Sequence, residues 1–123
     1  MTPASAILDP RSHPDLYVAT VLHLYVDLPD TPLRASLSDQ RQARIWFDRA
    51  VPLELVETAL LLASLRRLVR PPGVPPLPRI RSLAYFQPII DELLLQPPPS
   101  GYLQYLRLKL RNAGDTPSGG TSS

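Results

Sequence analysis

Sixteen prolines among 123 residues decide most of what this chain can become. Proline has no backbone N–H to give to a helix or sheet, its ring clashes with the preceding helical turn, and it pushes the residue before it out of the helical region. Its positions cut the chain at Pro14, at Pro29 and Pro32, at Pro52, along the run from Pro71 to Pro78, at Pro88, and along Pro97 to Pro99. Between these cuts the apolar residues recur at spacings of three and four. No period-two run and no Asn-Gly or Asp-Gly hairpin turn occurs. The expected fold class is all-α: a small bundle of four to five short helices, with a Pro-rich connector between helices three and four.

The first helix is read as Pro14 to Leu28, with proline in its first turn, Asp15 near its positive end and an apolar surface so wide that it should be central. The second starts near Ser36 or Ser38 and runs through RQARIWFDRA, with Ala43, Ile45, Trp46 and Phe47 apolar. The third, Pro52 to Val69, has Glu54 and Glu57 near its positive end and Arg66, Arg67 and Arg70 near its negative end. Nearly every side of its middle asks for burial. PPGVPPLPR then reads as an extended, polyproline-like connector. Ser82 should cap a fourth helix, SLAYFQPIIDELLL, that Pro88 kinks or splits between Phe86 and Ile89. A fifth helix, Ser100 to Asn112, turns Tyr102, Leu103, Leu106 and Leu110 inward.

The apolar fraction of 44% is enough for one core and the length too short for two. The domain is placed at residues 13 to 113, between a flexible N-terminus (1–12) and a Gly/Ser-rich disordered tail (114–123). With no cysteine there is no disulfide, thiolate metal site or thiol nucleophile. No apolar run is long enough to span a membrane and no secretory leader is visible, so the expected location is cytoplasmic.

Catalytic chemistry is poorly provided for. His13 and His23 are ten residues apart and fit no ligand spacing, so no metal site is expected. The pairs Glu54/Glu57 and Asp91/Glu92 sit where helix electrostatics would place them. No phosphate-cradling glycine loop and no nucleophile motif occurs. The chain is read as not an enzyme, with no cofactor.

What stands out is where the charge lies. The formal net charge is only +2, but residues 58–90 carry five arginines and no acid, while residues 1–57 carry five arginines against eight acids. Arg66, Arg67, Arg70, Arg79 and Arg81, followed by Tyr85 and Phe86, combine cations for a phosphate backbone with rings on which unpaired bases can stack. Arg107, Lys109 and Arg111 would assist. The competing explanation is that Arg66, Arg67 and Arg70 complement a helix C-terminus, with both rings in the core. The proline run likewise reads either as a ligand for an aromatic groove or as a stiff spacer.

RIWFDRAVPLELVETALLLA, followed after the linker by SLAYFQPIIDELL, resembles the helical C-terminal domain of DnaD-type primosome and phage replisome-organiser proteins. The resemblance spans about residues 40 to 95 and rests on Trp46, Val51 to Val56, Ala59, Tyr85, Ile89 and Ile90; leucines 93 to 95 stand where the family has a tryptophan. It implies a replication- or mobile-element-associated protein whose last helices touch DNA or a helicase-loading partner. The leading expectation is a non-enzymatic nucleic-acid-associated module for single- or double-stranded DNA, binding through Arg66, Arg67, Arg70, Arg79, Arg81, Tyr85, Arg107, Lys109 and Arg111. The alternative is a protein-protein adaptor or small subunit of a larger complex.

Overall fold

A computed structural model describes residues 9–69, 71–75 and 77–121, with side chains as far as residue 112. Among these residues the chain forms helices α1 (Pro14–Val26), α2 (Leu37–Asp48), α3 (Leu53–Leu68), α4 (Gln87–Leu95) and α5 (Tyr102–Thr121), with a 3₁₀ turn at Leu83–Phe86 before α4. No strand occurs among them, so the all-α expectation holds.

Local sequence accounts for most boundaries. Pro14 opens α1 behind an extended His13, and Asp15 complements the helix dipole. The helix stops at Val26 rather than Leu28 because its last turn tightens: the Leu28 N–H reaches back only to the Tyr25 carbonyl, at 3.1 Å. Asp30 then takes a left-handed φ of 64° and Thr31 Oγ1 donates to the Leu28 carbonyl, which reverses the chain.

Ser36 and Asp39 build a reciprocal capping box on α2: the Asp39 N–H donates to Ser36 Oγ at 3.1 Å and the Ser36 N–H to Asp39 Oδ2 at 2.9 Å. At the other end the Val51 N–H bonds the Trp46 carbonyl, with Ala50 at φ 60° between them. This is a Schellman closure in which alanine occupies the position glycine usually takes, at a cost of about 1 kcal/mol.

The centre of the bundle is α3, not α1 as the width of the apolar surface implied. Helices α1, α4 and α5 and the 3₁₀ turn all pack on α3, whereas α1 presents a single buried stripe, Tyr17, Val21 and Tyr25. Val56, Ala59 and Leu60 of α3 are fully buried, and the two alanines Ala59 and Ala63 let neighbouring helices approach closely. Trp46, Phe86, Leu83, Ile90 and Leu106 complete the core, with Tyr25 meeting Phe86 edge-on at 6.0 Å and Tyr17 meeting Phe47 at 5.2 Å.

Three expectations on the C-terminal half need correction. The connector is not polyproline-like throughout: the Val74 N–H faces the Pro71 carbonyl at 3.4 Å and Gly73 has φ 85°, a type II turn with proline and glycine in their preferred places. Ser82 does not cap the following turn through its side chain, and the first N–H of that turn, that of Leu83, is taken by Asp39 Oδ1 of α2, at 2.8 Å. The last helix does not end at Asn112, since its backbone continues through Thr121 across most of the expected tail, whose side chains lie outside the described residues. Of the expected flexible N-terminus, residues 1–8 lie outside the described residues, while Asp9 to Ser12 form a turn with the Ser12 and His13 N–H groups on the Asp9 carbonyl. Pro88 acts as anticipated: the segment splits into a 3₁₀ turn and α4, with Pro88 in the first turn of the latter.

Candidate nucleic-acid interface

The basic segment is positioned by one apolar residue. Ile80 is 2% exposed and its N–H donates to the Asp30 carbonyl at 2.8 Å, tying the extended connector to the α1–α2 turn. Successive side chains of an extended segment point to opposite sides, so anchoring Ile80 inward turns Arg79 and Arg81 outward. Both are exposed. Arg79 makes a long bond of 3.4 Å from Nη2 to the Thr31 carbonyl. Arg81 has no ion pair or hydrogen bond among the described residues, and it stands one residue before Ser82, the cap position of the 3₁₀ turn.

Arg67 of α3 plays a different part. Its side chain is 9% exposed and its guanidinium donates to the Pro78 carbonyl (2.7 Å), the Tyr85 hydroxyl (3.3 Å) and Asp30 Oδ2 (3.4 Å). It also lies 5.7 Å from the centre of the Tyr85 ring. One rigid fork thus fastens connector, 3₁₀ turn and α1–α2 turn to the central helix. Tyr85, 41% exposed, packs between this cation and Phe86, whose ring lies nearly perpendicular at 5.2 Å.

Between these groups runs a groove of about 440 Å³ lined by Arg67, Leu77, Pro78, Arg79, Arg81, Ser82 and Tyr85. Among the described residues three arginines and no carboxylate line it, which makes it an anion-favouring cleft with an aromatic wall. A larger groove of about 530 Å³, between the start of α3 and residues 98–104, carries Glu54 and, among the described residues, no arginine or lysine, and does not fit an anion.

The other candidate cations lie elsewhere. Arg66 is clamped by Glu92 of α4 through two bonds of 3.0 and 2.7 Å, which holds the Glu92 carboxyl below its usual range and the guanidinium above its own. Arg107 grips Glu57 in the same bidentate way, at 2.9 and 2.8 Å, joining α5 to α3, and its own pKa is raised by that bond. Lys109 sits 5.7 Å from the Tyr105 ring centre, and Arg111 is exposed on the same helix. Arg70 lies outside the described residues. Of the nine expected residues, the fold therefore brings together Arg67, Arg79, Arg81 and Tyr85, and it spends Arg66 and Arg107 on joining helices. Phe86 is a core residue, as the competing explanation held.

Sequence reasoning missed the groove's floor, Leu77 and Pro78, and the tethers Asp30 and Thr31. The one available signal was Ile80, an isolated aliphatic between two arginines. Among the described residues no group of three metal-ligating side chains converges, and no helix is long and apolar enough to cross a membrane.

No protein-family model, curated protein or solved structure matches this chain.

Proposed function

We propose that this chain is a non-enzymatic, nucleic-acid-associated helical module that receives a strand in the groove between connector and 3₁₀ turn. Arg79 and Arg81 supply charge-assisted bonds to phosphate oxygens. Two residues apart along an extended segment, they are separated by about 6.6 Å and present two successive cations to a backbone running along the connector. The exposed part of the Tyr85 ring offers a stacking surface for an unpaired base. The replication or mobile-element setting implied by the resemblance belongs to this proposal.

The observation that carries it is that Arg79 and Arg81 are exposed beside a half-exposed tyrosine, in a cleft that no carboxylate lines among the described residues. Two phosphate contacts on a single strand give a salt slope of about −1.4, from roughly 0.7 per phosphate, and hence about a sevenfold loss of affinity between 50 and 200 mM salt. Titrating labelled single- and double-stranded oligonucleotides by fluorescence anisotropy tests this. Binding with that slope and a preference for the single strand supports the reading, and absence of binding at low salt overturns it.

A second reading, the protein-protein adaptor, is favoured by Leu94 and Leu95 at the end of α4 and Tyr105 and Leu108 on the outer side of α5, all between 47% and 83% exposed. It becomes the better account if oligonucleotides do not bind.

A further inference from the structure

Next to the groove and sharing Arg67 with it is a small niche of about 30 Å³ lined by Pro29, Asp30, Ser64, Arg67 and Leu68, with Ser64 buried and Asp30 and Leu68 more than half exposed. Ser64 is 2% exposed, on the face of α3 turned toward the α1–α2 turn, and among the described residues its Oγ has no hydrogen-bond partner. A buried hydroxyl left alone costs about as much as the bond it fails to make, so such groups are nearly always satisfied by protein or by ordered water. Neighbouring groups offer what the hydroxyl lacks. The three bonds Arg67 makes to Pro78, Tyr85 and Asp30 leave guanidinium N–H donors for a further acceptor, and the Asp30 carboxylate uses only Oδ2 on Arg67.

We propose that this niche holds one structural water, bridging Ser64 Oγ, the Arg67 guanidinium and Asp30, and that the water completes the clamp fixing the connector to α3. The lining chooses the ligand. Asp30 opposes an anion and Arg67 opposes a cation, while a molecule that both donates and accepts satisfies all three groups. The size agrees, since a water needs roughly 10–15 Å³ of such volume and two to four polar partners. The site does not depend on what the groove binds.

The sign of one substitution separates a bridged hydroxyl from an orphaned one. If water links Ser64 to Arg67 and Asp30, Ser64→Ala removes a satisfied hydrogen bond and lowers Tm by about 4 °C, and the Ile80 amide, which donates to Asp30, exchanges faster with solvent. If the hydroxyl is orphaned in a dry niche, Ser64→Ala removes a desolvation penalty and leaves Tm unchanged or raised, which overturns the proposal. A crystal structure at better than about 2 Å gives an independent reading. An ordered density peak within hydrogen-bond distance of Ser64 Oγ and Arg67 supports the site, and a featureless niche overturns it.

Discussion

The residue on which two parts of the fold most depend is Asp39, and its removal gives the sharpest test of the packing account. Asp39 is 2% exposed and its carboxylate serves two backbone donors: Oδ2 takes the Ser36 N–H as half of the α2 capping box, and Oδ1 takes the Leu83 N–H that begins the 3₁₀ turn. The first bond lies at an exposed terminus, where losing a cap costs about 1 kcal/mol because water can substitute. The second is buried and charge-assisted, and without it the Leu83 N–H has no acceptor, a loss of roughly 2–3 kcal/mol. Asp39→Ala should therefore cost about 3–4 kcal/mol, Asp39→Asn about half of that because one acceptor oxygen survives, and Ser36→Ala about 1 kcal/mol. Against a total stability of about 5–15 kcal/mol for a domain of this size, the first of these is a large fraction. Urea unfolding followed by fluorescence of Trp46, the sole tryptophan and fully buried, measures all three. If Asp39→Ala costs no more than Ser36→Ala, Asp39 is only a helix cap, and the tie between α2 and the 3₁₀ turn does not hold the C-terminal half in place.

Two further outcomes follow from charge and burial. Burial and the neighbouring Asp39 charge push the Tyr25 phenol up to about 12, and burial raises that of Tyr17. A phenol with a higher pKa folded than unfolded contributes stability that is full below about pH 10 and is lost as pH climbs toward 12. Alkaline titration at 295 nm should show the last tyrosinate absorbance appearing together with loss of Trp46 burial; ionisation of all five tyrosines in a still folded protein would contradict this. Glu92→Gln should leave stability nearly unchanged, since that pair stands in solvent, and Glu57→Gln should cost no more than about 1 kcal/mol, its pair being partly exposed. Each frees an arginine, so the double variant should bind single-stranded oligonucleotides more tightly and with a steeper salt slope; unchanged affinity and slope would show that the freed cations do not reach the bound strand.

Prolines and apolar spacing made the helices legible, because both act locally: Pro14, Pro52 and Pro88 each lie at a helix start, and Leu106 lies inward as its period requires. What escaped the sequence is what depends on residues far apart. Ser82 carries the ordinary signature of a cap, yet its side chain caps nothing, and the turn is held instead by Asp39, 44 positions from the Leu83 N–H it accepts. Arg66 and Arg67 are adjacent and chemically alike. One nevertheless binds Glu92 at the surface, while the other is buried between Pro78, Tyr85 and Asp30, a difference fixed by which helix or turn each side of α3 faces. A run of arginines shows that positive charge is present and does not show which of it is already paired. The position of Ile80 decides that for Arg79 and Arg81.

The proposed grip lies in the arginines the fold leaves facing solvent rather than in those it pairs. It is tested most directly by fluorescence anisotropy with a labelled single-stranded oligonucleotide, comparing wild type, Arg79→Ala/Arg81→Ala and Arg66→Ala/Arg107→Ala at 50 mM salt. The first double variant, which among the described residues gives up only one long bond to the Thr31 carbonyl, should stay as stable as wild type within about 0.5 kcal/mol yet lose binding. The second should be less stable and still bind. Binding retained by Arg79→Ala/Arg81→Ala, or lost in Arg66→Ala/Arg107→Ala at a temperature where that protein is still folded, would contradict it.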